Sequence, residues 1–599
     1  MLACVKLKHN LLLGLYVDLV ALRFERRENN MISQADHCGD LDRSLHAAQA
    51  RLTGGLSMTA LSLAWADWAL HLADQPGRQM ELAQLAVNNW GALMRQTMGL
   101  HYDKLVPAKQ DHRFQDQSWQ SGPASLVSQA FLRVADFWNK ATTDTAGVSG
   151  RNERIVNFAV RQMLDVMAPS NIPLFNPEVL AKAQATQGDS LRQGMENFIE
   201  DLRNAGNTKA QELPLQPGKD VALTPGKVVF RNELLELIQY EPTTKTVRPE
   251  PVLIVPAWIM KYYILDLSPQ NSMVKYLVAQ GFTVFCISWR NPDASMRDIG
   301  LDDYRRLGAV SAIDAITAIC GDVKIHAAGY CLGGTLLSIT AAAMARDHDE
   351  RLATVTLLAA QTDFTEAGEL QLFINESQLH FLDDVMWAQG YLDAQQMSGA
   401  FQMLHANDLV WSQMIRRYYL GEEDHANDLM SWNMDSTRMP YRMHSEYLRK
   451  LFLNNDLAEG RYEADGRKIS LADIHVPFFV IGTETDHIAP WRSVYKIQQL
   501  NKSDITFVLT SGGHNAGVVS EPGHPRRHFC KLERKPDDLF IPPDEWQNQA
   551  ICQEGSWWVD WSDWLSAHSG ELKTPPFMGA PTAGYPVLEA APGTYVFQR

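Results

Sequence analysis

The sequence predicts an α/β domain, built on a mostly parallel sheet with a lid insertion and preceded by a mostly helical N-terminal domain. Three observations carry this. The chain has 599 residues, more than one hydrophobic core organises, since single cores stop growing at roughly 250 to 300 residues. Its texture changes near residue 215, from long helical periodicity to short apolar runs alternating with helical patterns. And "HAAGYCLGGTLLSIT", residues 326–340, sets Cys331 between Gly329 and Gly333, the spacing of a G-x-S-x-G nucleophile elbow with sulfur in place of oxygen.

In chain order, "NLLLGLYVDLVAL" (10–22) contains Asp18 and is too short to span a bilayer, so it reads as a short amphipathic helix or an extended start upstream of Met31. From about Leu56 to Ala210 the pattern is helical. Leu82, Leu85, Ala86, Trp90, Leu93 and Met94 recur at helical spacing and are expected to pack in a core, with Pro76-Gly77 separating them from "SMTALSLAWADWALHLA". "LQPGKDVALTPGKVVF" then marks the boundary, placing a helical domain at 1–215 and a catalytic domain at 216–573. Eight runs read as strands: 227–230, 236–240, 251–256, 283–289, 324–330, 354–360, 477–483 and 505–510. Eight is the size of an α/β-hydrolase sheet. The Trp-, Tyr- and Met-rich stretch at about 365–472 is where such a sheet carries a lid, and the Pro- and Gly-rich residues 574–599 read as an extended tail.

The elbow works because a sharp strand-to-helix turn exposes the nucleophile and tolerates only small neighbours. "KIHAAGY" supplies the strand and "GGTLLSITAAAMA" the helix. A helix beginning after Cys331 aims its N–H groups at the sulfur, so Leu332 is expected as one oxyanion donor, and Ile259, in the loop after "PVLIVP", as the other. In this fold the chain order runs nucleophile, acid, histidine. Asp486 follows one strand and His514 follows the next, both at carboxyl ends where open sheets bind ligands. Cys331, Asp486 and His514 are therefore the expected triad. Asp363, also after a strand, is the competing acid, and His487 is read as a structural histidine. Exchange of a thiolate with a thioester is nearly balanced, which favours acyl transfer from a thioester over hydrolysis.

Composition excludes other classes. A formal net charge of −16 without clustered Lys and Arg argues against nucleic-acid binding. No metal-ligand spacing and no phosphate-binding GxxxxGK loop occurs, so neither a metal nor a nucleotide site is expected. The seven cysteines, at 4, 38, 286, 320, 331, 530 and 552, show no paired spacing and point to a reducing compartment.

At these residues the chain resembles the poly(3-hydroxyalkanoate) synthases, in particular class I. The likeness runs through "FNPE", "TPGKVVFRNELLELIQY", "KYYILDL", "SWRNPD", "GYCLGG", "NDLVW", "WNMDST", "TETDHIAPW", "GGHNAGV", "GSWWVDW" and "APGTYV". The resemblance implies a cytoplasmic enzyme at the surface of polymer granules. It would take (R)-3-hydroxyacyl-CoA, load the acyl group on Cys331 and extend a polyester with release of CoA. It needs no cofactor beyond its CoA thioester substrate, and acts as a homodimer without a transmembrane segment. It also implies His514 as the base, and Asp486 as the carboxylate that either orients histidine or acts on the substrate hydroxyl. Trp432 becomes a lid or subunit contact. Trp258 and Met260 depart from the smaller or more polar residues expected in the oxyanion loop, and the first thirty residues match nothing in the family. Two alternatives stand beside this reading: a thiol-dependent esterase or depolymerase with the same triad, and a non-catalytic granule-associated protein.

Overall fold

The computed structural model describes residues 34–599 except 54, 56, 108–110, 112, 206–212, 394–395, 397–409 and 424–426, so the 10–22 stretch lies outside the described residues. The chain divides into two compact units. One comprises Met1–Gln211 with Asn375–Phe381 and Ser398–His425; the other comprises Glu212–Ile374, Leu382–Met397 and Ala426–Arg599.

The first unit is helical, with helices at Met58–Ala73, Pro76–Thr97, Gly122–Ala141, Gly150–Val166, Pro177–Ala185 and Asp189–Ala205 among others. Side-chain caps start several of them: Ser57, Ser149 and Asn176 each accept from a backbone N–H of the following first turn. Its small core joins Phe114, Trp119, Phe131, Val160 and Leu164. The stripe expected to pack is buried only at Leu82. Ala86 is exposed and Trp90 is 64% exposed, because the helix buries Leu82 and Ala92 and turns the rest of that face outward. Two pieces of the 365–472 insertion pack here too, one through Gln378, which accepts from Ser57 N–H (2.8 Å), the other through Arg417 to Asp201 (2.9 Å) and Tyr418 against Phe198. The insertion is therefore divided between the units rather than forming one lid.

The second unit is built on an eleven-stranded sheet. Its strands are β1 (Gly226–Arg231), β2 (Leu235–Tyr240), β3 (Val252–Val255), β4 (Val284–Trp289), β5 (Ile325–Tyr330), β6 (Leu352–Leu358), β7 (Phe478–Thr483), β8 (Ile505–Thr510), β9 (His528–Arg534), β10 (Ile551–Glu554) and β11 (Glu589–Ala590). The spatial order is β10-β9-β8-β7-β6-β5-β3-β4-β2-β1-β11. Strands β3 to β8 run parallel and are buried along almost their whole length, which is why they read as continuous apolar runs. The borders are antiparallel.

All eight expected strands are present. The three additional ones, β9, β10 and β11, lie at the edges. Apart from Phe529 and Arg534 on β9, their residues are half-buried or exposed, so they lack the apolar signal of the centre. The tail is consequently no loose extension: β11 pairs with β1 through Lys227↔Ala590 and Val228↔Glu589. Pairing of β9 with β10 also sets Cys530 opposite Cys552, and the two form a disulfide. That pairing corrects the expectation of unpaired thiols; it was hidden because neither strand announces itself in the sequence.

Candidate active site

β5 ends at Tyr330, and helix α1 (Leu332–Arg346) starts immediately after Cys331. The turn between them requires φ 52° and ψ −122° at Cys331, a left-handed conformation that a side chain rarely adopts and that is held by the surrounding packing. Cys331 N–H donates to the Leu358 carbonyl (2.8 Å) on β6, and its carbonyl accepts from Gly334 N–H (2.9 Å). Both flanking glycines are obligatory. A Cβ on Gly329 would strike the Gly334 backbone, and one on Gly333 would strike the carbonyls of Val255 and Pro256, so β3, β5 and the first turn of α1 meet backbone to backbone. Cys331 itself remains part-exposed among buried neighbours.

Asp486 lies three residues past β7. Its carboxylate is fully engaged: one oxygen accepts from Ile488 N–H (2.9 Å) and Ala489 N–H (2.8 Å), the other from Thr483 Oγ1 (2.8 Å) and His514 Nδ1 (2.7 Å). Burial would push this acid up, but His514 and the three other donors more than offset it, and its pKa lies below the ordinary aspartate value. His514 opens helix α3 (His514–Val518) after the Gly512-Gly513 turn beyond β8. Burial alone would push the imidazole down; the Asp486 carboxylate, with Cys331 beside it, outweighs this, so its pKa is raised well above the usual histidine value. Cys331 is the other group whose interaction with this imidazole raises its pKa. The structure thus brings Cys331, His514 and Asp486 together in the expected order.

The competing groups are used elsewhere. Asp363 accepts from Thr365 N–H (2.9 Å) and pairs with Lys496 (3.5 Å), while His487 is exposed. Asn455 ties to Asp363 and to the backbone of Phe364, which fixes that loop away from His514. No cluster of His, Cys, Asp or Glu suited to a metal occurs among the described residues.

The loop after β3 runs beside the start of α1. Leu332, first residue of α1, has no intrahelical acceptor for its N–H. Across from it, the Pro256 carbonyl accepts from Trp289 Nε1 (2.8 Å), the Trp258 carbonyl from Thr437 Oγ1 (2.6 Å), and the Ile259 carbonyl from Thr437 N–H (3.3 Å). The loop's shape is therefore fixed from its carbonyl side. The Trp258 ring packs against Trp289 and Tyr304 in the interior, so this departure from smaller residues adds to the core; Met260 packs against the main core cluster. Trp432, in helix α2 (Asp428–Met434), is buried within the chain and donates from Nε1 to the Lys261 carbonyl (2.7 Å), a lid position with little surface left for a second subunit.

Several contributors escaped sequence reasoning. The Tyr330 ring lies 5.6 Å from that of His514 and its hydroxyl donates to Asn515 Oδ1 (2.5 Å). Both residues sit inside quoted motifs, next to Cys331 and His514, which is the signal that would have found them. Helix α4 (Trp557–Ala567) seats the histidine helix: Trp557 Nε1 donates to the Gly517 carbonyl (3.0 Å) and Trp558 Nε1 to the Val518 carbonyl (2.9 Å). A five-residue helix cannot satisfy its own last carbonyls, and these indoles do so. The "GSWWVDW" motif is thus packing in service of the site.

Comparison with known proteins places the chain in a family. Residues 110–277 match the family described as "Poly-beta-hydroxybutyrate polymerase (PhaC) N-terminus", residues 38–78 match "Poly-beta-hydroxybutyrate polymerase N terminal", and residues 250–520 match "alpha/beta hydrolase fold". A poly(3-hydroxyalkanoate) polymerase of Methylorubrum extorquens is 39% identical over 525 residues, 86% of each chain. The poly(3-hydroxyalkanoate) polymerase subunit PhaC of Cupriavidus necator is 35% identical over 81% of this chain and 83% of its own. Among solved structures, a monoacylglycerol lipase of Paleococcus ferrophilus aligns with TM-score 0.30 at 13% identity, over 56% of this chain and 99% of its own. The chain belongs to the poly(3-hydroxyalkanoate) polymerase family, on an α/β-hydrolase fold.

Proposed function

We propose that this chain polymerises (R)-3-hydroxyacyl units from their CoA thioesters into a polyester. The observation that carries the reading is His514 bonded to Asp486 and interacting electrostatically with Cys331, all three at the carboxyl edge of the parallel strands. In the first half-reaction His514 takes the Cys331 proton and the thiolate attacks the thioester carbonyl. The Leu332 and Ile259 N–H groups hold the oxyanion, and CoA leaves with the proton from His514. In the second, His514 takes the proton of a hydroxyl, from a monomer or the chain end. That oxygen attacks the acyl-enzyme, and Cys331 departs as thiol, leaving an ester one unit longer.

The engagement of both Asp486 oxygens supports an orienting role rather than action on the substrate hydroxyl. With two backbone amides, Thr483 and His514 already bonded and the carboxylate shielded from solvent, it holds the imidazole tautomer that accepts at Nε2. The reaction requires neither cofactor nor metal. Among the described residues no helix is long and apolar enough to cross a membrane, and we place the enzyme in the cytoplasm at the granule surface, as a homodimer.

Purified protein supplied with (R)-3-hydroxybutyryl-CoA tests the reading. CoA release matched by ester-linked polymer, with a hydroxyacyl mass trapped on Cys331, is the expected result. Free 3-hydroxy acid as sole product indicates the hydrolytic alternative, and unchanged polymer formation by Cys331→Ala indicates a non-catalytic role for this residue.

A further inference from the structure

The C-terminal residues enter a receptor that the reaction scheme does not use. Buried Glu236 on β2 accepts from Thr594 N–H (3.0 Å) and Tyr595 N–H (2.9 Å), and the Tyr595 hydroxyl donates to the Asn232 carbonyl (2.6 Å). Lys261, also buried, donates from Nζ to the carbonyls of Tyr595 (3.2 Å) and Gln598 (2.6 Å). Asn291 adds its backbone N–H to the Gln598 side chain (3.2 Å) and its Nδ2 to the Gln598 carbonyl (3.4 Å). Buried Lys261 is thus committed to main-chain carbonyls of one short segment, while buried Glu236 divides itself between two amides of that segment and the Arg231 guanidinium.

The same residues hold the lid segment that shapes the oxyanion loop. The Lys261 carbonyl accepts from Trp432 Nε1, and Asn291 Oδ1 accepts from Arg438 N–H (2.9 Å). Between these two anchors stands Thr437, which fixes the carbonyls of Trp258 and Ile259. Tyr263, two residues past Lys261, donates to Asp435 (3.0 Å) and closes the cluster. A hydrogen-bonded relay therefore runs from Thr594–Gln598, through Lys261 and Asn291, to residues 432–438 and on to the loop after β3, whose carbonyls Thr437 holds.

We propose that the C-terminal strap, Thr594–Gln598, sets the oxyanion loop, and that Lys261 is the positioning residue through which it acts. The inference rests on the polymerase reading above. Lys261 touches no reacting atom; it acts through the direction of the Ile259 N–H.

The test measures pre-steady-state CoA release from (R)-3-hydroxybutyryl-CoA by wild type, Lys261→Met, Lys261→Arg and a chain ending at Gly593. Alkylation of Cys331 by iodoacetamide is followed in parallel, because it reads the Cys–His pair but not the oxyanion loop. A displaced oxyanion donor slows acylation by ~10- to 100-fold, less than outright removal of one. The expected outcome is that slowing in Lys261→Met, with KM within about twofold and alkylation unchanged, and restoration to within a few fold by Lys261→Arg. The shortened chain shows the same loss, and combining it with Lys261→Met adds nothing, since both cut one relay. Wild-type acylation in Lys261→Met, full additivity, or a parallel fall in alkylation overturns the proposal. If Lys261→Met does not fold, Asn291→Ala, which releases only Gln598 and Arg438, is expected to give a smaller loss of the same kind, and wild-type acylation there overturns it equally. No CoA burst in wild type strikes the polymerase reading itself, whereas a normal burst in wild type and Lys261→Met alike strikes only the strap.

Discussion

The parallel centre of the sheet and its antiparallel borders divide the work of the site. β5, β7 and β8 carry the reacting groups at their carboxyl ends: Cys331 one residue past β5, Asp486 three past β7 and His514 four past β8. The borders carry none of them, yet each holds one half of the site in place. On one side β9 and β10 lead into α4, whose tryptophans cap the helix of His514. On the other, β1, β2 and β11 bind the strap that reaches the oxyanion loop through Lys261. The difference teaches that chemistry sits where strands are fully buried, and that its precision is supplied from the exposed edges.

The largest expected effect breaks the centre. Cys331→Ala removes the nucleophile and should lower polymer formation by at least ~10³-fold, with no hydroxyacyl mass on the protein. Asp486→Asn should cost a comparable ~10⁴-fold, because an amide can stabilise the wrong imidazole tautomer while the fold persists. Both are checked by CoA release per folded active site. Activity within tenfold of wild type in Asp486→Asn would mean that the carboxylate does not orient His514.

That division also explains what was legible in the sequence. The six central strands, the buried border strands β1 and β2, and the triad could be read because burial imposes apolar runs, and because nucleophile, acid and base need particular residue types at strand ends. The outermost border strands β9, β10 and β11 could not. "HFCKLER" and "ICQE" carry charges and exposed positions, and β11 is two residues long within a Pro- and Gly-rich stretch. Trp90 misled in the opposite sense: helical spacing places it on a stripe, but spacing does not say whether a partner covers that stripe. The split of the 365–472 insertion between two units likewise depends on long-range pairs such as Arg417 with Asp201, which no local pattern encodes.

Next in size is the border at the oxyanion loop. Thr437→Val removes the hydroxyl that donates to the Trp258 carbonyl while keeping the shape of the side chain. It should slow acylation by about tenfold with little change in KM, the pattern of an interaction made mainly in the transition state. An increase in KM alone would place Thr437 in substrate binding instead.

Lys261 gives the same border a pH signature in stability. Burial lowers its pKa from 10.5 to about 8, against the opposing pull of Asp435; Arg438 and Arg599 add repulsion, and Tyr263 faces the same cluster. A base whose folded pKa is depressed is held at a cost while charged. Between about pH 8 and 10.5 the unfolded chain therefore binds the extra proton, and folded stability rises with pH across that window. Relative to Lys261→Met, wild type should gain on the order of 3 kcal/mol from the lower end to the upper, visible as converging or crossing unfolding temperatures. A difference independent of pH would mean that this ammonium is solvated rather than buried.

The smallest effect on activity is expected at the opposite border, from reducing the Cys530–Cys552 disulfide. The bond spans 22 residues, a loop whose closure contributes at most about 3 kcal/mol through the unfolded chain, so the reduced protein should melt a few degrees lower. Catalysis depends instead on whether α4 still seats the His514 helix, and that seat has its own supports. Four cross-strand pairs join β9 to β10, Gly555 N–H donates to the Arg527 carbonyl (2.7 Å), and Ser556 caps α4. Paired thiols in place of the bond leave all of these intact, so the protein treated with a reductant, and the Cys530→Ser, Cys552→Ser double variant, should retain acylation within about twofold. An enzyme placed in a reducing cytoplasm, as proposed above, needs this independence. A tenfold loss on reduction, reversed on reoxidation, would instead make sulfur the element that holds this border, and would tie the proposed enzyme's activity to the redox state of its surroundings.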